Sequence, residues 1–90
     1  MNDEKIFSEA LRHHFSGRFE PAERAYRDVL SRDPAHADAL HHLGLIDLHF
    51  GRIERAVVWI RKSVLASPNQ PDAFSNLAYC LAVSSFKCNG

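Results

Sequence analysis

Residues 38–45 read DALHHLGL, and residues 72–79 read DAFSNLAY, so the same pattern returns after 34 positions. Residues of matching type recur at this step elsewhere in the chain: Gly17 and Gly51, Pro34 and Pro68, and the small residues Ala10, Gly44 and Ala78. A fixed period of this length is typical of repeat architectures, in which neighbouring units stack to share one core. The chain therefore contains two full units and the first half of a third.

Each unit is predicted to be a pair of helices that is divided by a glycine and closed by a proline. Apolar residues recur at helical spacing within each segment, and no segment alternates with the period of a strand. A proline ends the unit because it disfavours helical geometry in the residue before it. The predicted helices cover about residues 3–16, 20–32, 38–50, 53–66 and 71–84. The sequence thus predicts an all-α chain of five antiparallel helices in a single domain, 1–90, with repeat 1 at about 3–36, repeat 2 at about 37–70, a half repeat at 71–84 and a tail at 85–90.

Composition narrows the classes of partner. Eleven Lys and Arg balance eleven Asp and Glu, so the chain lacks the overall basic charge that gathers nucleic acid or anionic membranes, and we expect neither as a partner. A hydrophobic share of 46% with 24% charged residues is typical of a globular domain. The charged N-terminus does not resemble a secretory signal, and only two cysteines, Cys80 and Cys88, occur. These features predict a cytoplasmic protein.

The second unit carries the pattern by which a family can be recognised. It resembles the tetratricopeptide repeat at Leu40, Leu43, Gly44, Gly51, Ala56, Ile60 and Pro68. The resemblance implies a right-handed solenoid, in which the first helices of the units line a concave groove and the second helices form the convex back. Asp47 departs from the pattern, which has an aromatic residue there, and we expect this carboxylate to reach an edge or to find an Arg partner.

The resemblance also implies a function, namely a non-catalytic module that binds a protein or peptide in the groove and needs no cofactor. Neither Lys nor Arg lies among the predicted groove residues, so we expect an apolar or mildly basic ligand, bound more weakly below about pH 6 as histidines become charged. An alternative is that Leu11, Leu45 and Tyr79 only pack against each other between first helices. The family often has, at the position of Asn76, an Asn that bonds the peptide backbone. The predicted groove residues are Phe7, Leu11, Asp38, His41, His42, Leu45, His49, Asp72, Asn76 and Tyr79.

Sequence motifs for catalysis are missing, since no nucleotide-binding loop, metalloprotease motif or nucleophile elbow occurs. We therefore predict no enzymatic activity in these residues. Asp38 and His42 are spaced i,i+4 and could offer two ligands to a metal ion, but a structural zinc needs four. The sequence therefore predicts no metal site. Trp59 is predicted to be a partly covered residue of the convex back.

The last predicted helix contains an unusually apolar segment, residues 73–83, AFSNLAYCLAV. A helix that is apolar almost all round is normally buried on more than one side. We expect either a longer array or a homo-oligomer that covers the face of Phe74, Leu77, Leu81 and Phe86. An alternative function is that of an N-terminal substrate-recruiting segment of a larger enzyme, such as a bacterial glycosyltransferase.

Overall fold

Five helices follow one another along the chain. A computed structural model describes residues 3–89, with side chains for residues 3–84. The helices are α1 (Asp3–Phe15), α2 (Phe19–Arg32), α3 (Ala37–His49), α4 (Ile53–Ala66) and α5 (Pro71–Asn89). The predicted all-α repeat fold is confirmed, and the described residues include no strand. The predicted end of the last helix near Ser84 is wrong, because no glycine or proline follows to stop it before Gly90.

The turn inside each repeat is built in the same way. Gly17 and Gly51 have φ of 79° and 76°, in the left-handed region that glycine adopts without a steric penalty. After each glycine, the arginine N–H donates to a carbonyl five residues back, at 2.8 Å in both turns. This is the Schellman arrangement, which satisfies the carbonyl groups at the end of the first helix. The repeated glycines therefore fix the reversal of the chain at the end of α1 and again at the end of α3.

Small residues set the distance between paired helices. Ala10 on α1 and Gly44 on α3 are buried at equivalent positions of the repeat. A Cβ added at Gly44 would overlap the Ile60 side chain and lie 3.3 Å from the carbonyl oxygen of Ala56. Ala78 has the equivalent position on α5, yet it is exposed. In the first two units this surface packs against the second helix of the unit. On α5 the equivalent surface is exposed at Ala78.

The buried apolar residues of the helices form two clusters. One hydrophobic cluster joins α1, α2 and α3, and a second joins α4 and α5. Trp59 packs on the first cluster and is half-buried, as the sequence predicted. Cys80 is fully buried in the second. Within the described residues, no helix is both long and apolar enough to cross a membrane.

Asp47 is a buried carboxylate that has found cationic partners. Its side chain is 3% exposed, and its Oδ1 accepts a hydrogen bond from Nε of Arg52 at 2.7 Å. Arg55 lies 3.6 Å from the same oxygen, and Arg52 also reaches Glu23 on α2 at 3.3 Å. The expected Arg partner is confirmed, and the pair links the end of α3 to α2 and α4.

We predict that Gly44→Leu destabilises the protein by about 3 kcal/mol, because the new side chain must enter the occupied space between α3 and α4. The matched control is Ala78→Leu, which introduces the same side chain at the equivalent position on an exposed surface. It should change the free energy of unfolding by less than about 0.5 kcal/mol. Chemical denaturation at a protein concentration that keeps the chain monomeric measures both values. Equal losses of stability would show that the two positions do not differ in packing.

Candidate peptide-binding groove

The surface formed by α1, α3 and α5, here termed the groove, is built on a cluster of rings. Tyr26 of α2 is fully buried beneath it, and the His42 ring of α3 stacks on Tyr26 with centroids 5.6 Å apart and an interplanar angle of 8°. The rings of His14 and Phe7 on α1 lie 5.5 and 6.0 Å from that of His42. This ring cluster, formed by Phe7, His14, Tyr26 and His42, joins the first two repeats beneath the groove.

Two hydrogen bonds fix histidines of the groove. Nδ1 of His14 lies 2.9 Å from the hydroxyl of Tyr26, a contact between α1 and α2. Nε2 of His41 lies 3.0 Å from Nδ2 of Asn76, a contact between α3 and α5. Because an amide nitrogen only donates, this geometry requires an unprotonated Nε2 on His41. Asn76 therefore uses its amide N–H to connect neighbouring first helices.

Burial keeps these histidines neutral. Burial, together with the nearby His14 and His41, lowers the pKa of His42 to about 4 against an opposing effect of Asp38. Burial also lowers the pKa of His14 and of His41. The expectation that histidines of the groove become charged below about pH 6 is therefore wrong for His42, whose burial the sequence pattern did not reveal. For His14 and His41, burial moves the charging to lower pH.

The outer surface of the groove is acidic and partly apolar. Asp38 and Asp72 are exposed and line a cleft of about 300 Å³ between α3 and α5. Tyr79 is 56% exposed, so its ring is not enclosed between the first helices. Leu11 and Leu45 are half-buried, and Leu11 packs on the first core cluster. An incoming chain can therefore contact both carboxylates and the Tyr79 ring.

The predicted groove residues fall into three groups. Phe7, Leu11 and His42 belong to the inner layer, where they support the surface. His41 and Asn76 are bonded to each other. The third group consists of exposed residues: Asp38, His49, Asp72 and Tyr79. The ring of His49 lies 4.6 Å from that of Phe19, at the Gly51 end of the groove. Leu45 lies between these groups, half-buried on α3.

Sequence reasoning missed the part played by two residues. His14 bonds Tyr26 and contacts His42, so it belongs to the inner layer of the groove. Its place seven residues after Phe7 and three after Leu11, on one face of α1, was a signal that could have identified it. Tyr26 lies 34 residues before Ile60, so the repeat period indicates a core position for it but does not indicate its contact with the groove histidines. Among the described side chains, no three histidine, cysteine or acidic groups lie close enough together to hold a metal ion.

We predict that the protein loses about 1–2 kcal/mol of stability between about pH 7 and pH 5. The folded-state pKa of His42, about 4, lies below the ordinary value of 6.5, so the unfolded chain binds more protons in that range. Stability must therefore fall as the pH falls through it. His42→Phe should keep the ring stacked on Tyr26 and reduce the loss. Denaturation at each pH measures the effect, and NMR titration of the His42 ring with a midpoint near 6.5 would contradict the explanation.

Comparison with known families agrees with this geometry. A model described as tetratricopeptide repeat matches residues 16–80, from the end of α1 to the buried Cys80 of α5. A search of individual curated proteins gave no match. Repeats of this family generally serve as protein–protein interaction modules, and are typically not catalytic. The matched segment covers well over half of the sequence and contains α2, α3, α4 and the first half of α5, and the chain therefore belongs to the tetratricopeptide repeat family.

Proposed function

We propose that the chain binds an apolar, mildly basic segment of a protein partner in the groove. One observation carries the proposal: Asp38 and Asp72 are exposed at one cleft, and the exposed Tyr79 follows Asp72 by seven residues, two turns along the same face of α5. Neither α3 nor residues 71–84 of α5 contain Lys or Arg. A ligand with one or two positive charges beside an apolar side chain is complementary to this surface.

The inner layer supports binding by making the surface rigid. The ring cluster and the bond between His41 and Asn76 hold the first helices in a fixed relation before any ligand arrives. A preformed surface lowers the entropy cost of association. Because the buried histidines stay neutral, the negative potential of Asp38 and Asp72 is not cancelled near neutral pH.

We predict that peptides selected on this protein from a random display library are rich in Lys or Arg next to an apolar residue. Tyr79→Ala should weaken the selected peptides by about tenfold or more, as expected for loss of an aromatic anchor. Asp38→Asn with Asp72→Asn should weaken them by about threefold, and this effect should shrink as salt is added. Titration calorimetry measures the affinities.

The matched control for the groove is Leu65→Ala. Leu65 lies on α4 and is 76% exposed, so the variant removes a comparable apolar surface away from the first helices. It should leave peptide affinity unchanged. Peptides that bind Tyr79→Ala normally and lose affinity for Leu65→Ala would rule out the groove as the binding surface.

We also propose that the chain associates with a second copy through α5. Phe74 and Leu81 are 46% and 44% exposed, and Ala78 lies between them on a surface that is covered in both preceding units. Leu77 is half-buried against the second core cluster, so it contributes only part of its side chain. Phe86, the fourth predicted residue, lies outside the described side chains. Covering an apolar face of this kind favours association.

We predict a dimer at micromolar concentration that Leu81→Asp dissociates, with a dissociation constant raised by more than about tenfold. The control is Leu65→Asp, which places the same charge on an exposed site of α4 and should leave the dimer intact. Sedimentation velocity over a concentration series distinguishes the two states. A wild-type protein that remains monomeric throughout would exclude association through α5.

A further inference from the structure

The opposite surface of the molecule, formed by α2 and α4, contains a second candidate site. A cleft of about 300 Å³ lies between the C-terminal half of α2, the connection to α3, and α4. We name it the Trp59 cleft, and seven residues line it: Arg27, Leu30, Ser31, Pro34, Leu40, Trp59 and Lys62. It shares no residue with the groove described above. Its volume is at the small end of the range for ligand pockets and suits one apolar side chain.

The floor of the Trp59 cleft is apolar and firmly held. Leu40 is only 2% exposed, and Leu30 and Trp59 are half-buried against the first core cluster. The Trp59 ring therefore does not depend on a ligand for its position. A large aromatic side chain that is anchored on one face and open on another is the kind of residue that dominates binding energy at interfaces.

The rim of the Trp59 cleft is cationic. Cζ of Arg27 lies 5.5 Å from the centre of the Trp59 ring, and Nζ of Lys62 lies 5.4 Å from it. Both side chains are exposed, and neither forms an ion pair with another described side chain. Two cations next to an apolar floor are complementary to a carboxylate that adjoins an apolar group.

Charge on α4 reinforces this preference. The C-terminal part of the helix places the exposed Arg61 next to Lys62 and contains no acidic residue after Glu54, whereas Arg52 and Arg55 are paired with Asp47. The groove has the opposite sign, with Asp38 and Asp72 exposed. The charged groups at the Trp59 cleft and at the groove therefore differ in sign, although the formal charge of the whole chain is zero.

We propose that the Trp59 cleft binds an acidic peptide segment, which inserts one apolar side chain against Trp59 and Leu40 and pairs its carboxylates with Arg27 and Lys62. A peptide fits better than a nucleic acid, because the floor is lined by aliphatic groups and a proline and only two cations line the rim. Binding to a nucleic acid backbone draws on several phosphate contacts at once. The site is independent of the groove and of association through α5.

Trp59 is the only tryptophan of the chain, so its fluorescence reports on the cleft directly. The probe is a capped pentapeptide with a leucine between four glutamates, and it should shift the Trp59 emission in a saturable manner. A peptide with lysines in place of the glutamates should give no saturable shift. A single-stranded oligonucleotide that shifts the emission at lower concentration than the acidic peptide would overturn the assignment to a peptide.

Two variants at neighbouring positions distinguish binding in the Trp59 cleft from nonspecific attraction between charges. Lys62→Glu should weaken the acidic peptide by about fivefold, because it removes an attraction and adds a repulsion. The matched control, Arg61→Glu, makes the same change of charge on an exposed residue that does not line the cleft, and should leave the affinity within about twofold. Equal weakening by the two variants, or no saturable shift with the wild-type protein, would overturn the proposal. Circular dichroism checks that both variants stay folded.

Discussion

The close approach of α3 and α4 at Gly44 is the constraint on which the rest of the structure depends. No side chain fits at that point, because Ile60 and the carbonyl of Ala56 already occupy the space. In the first unit, Ala10 has the equivalent position where α1 approaches α2, and its methyl group is fully buried. The distance between paired helices determines how the units stack, and hence where the first helices of successive units lie. The open surface around Ala78 is the same packing surface without its second helix.

Desolvation of the histidines has a functional consequence. His42 is stacked on a buried tyrosine, and a charge on its ring would have to be removed from water. The fold therefore favours the neutral imidazole, which can stack and accept a hydrogen bond, over the imidazolium, which would repel a basic ligand. Asp38 and Asp72 then set the sign of the potential in the groove. The packing beneath the groove therefore helps to determine the charge on its surface.

The sequence predicts the fold well because the repeat signals are local. Glycine at the turns, helical spacing of apolar residues and the 34-residue period each act within one unit, so helix ends fall within one residue of their predicted positions except at the end of α5. The Arg partner of Asp47 could be anticipated because a buried carboxylate requires one. The contacts of His41 with Asn76 and of His14 with Tyr26 could not be anticipated. The paired residues are 35 and 12 positions apart in sequence, and they meet only through the packing of their helices. Six histidines look alike in a sequence, and only burial distinguishes them.

Composition fixes the sum of the charges, and the fold decides their distribution. A formal charge of zero excluded a uniformly basic surface, but it left open how the charges are divided between the two layers. The solenoid places cations along α4 and exposed carboxylates on α3 and α5, and α3 connects the two surfaces. Leu40 and His41 are adjacent in sequence, yet one lines the Trp59 cleft and the other the cleft beside Asp72. Because successive residues of a helix point in different directions, α3 contributes to the lining of both clefts, and the charged residues that line the two clefts differ in sign.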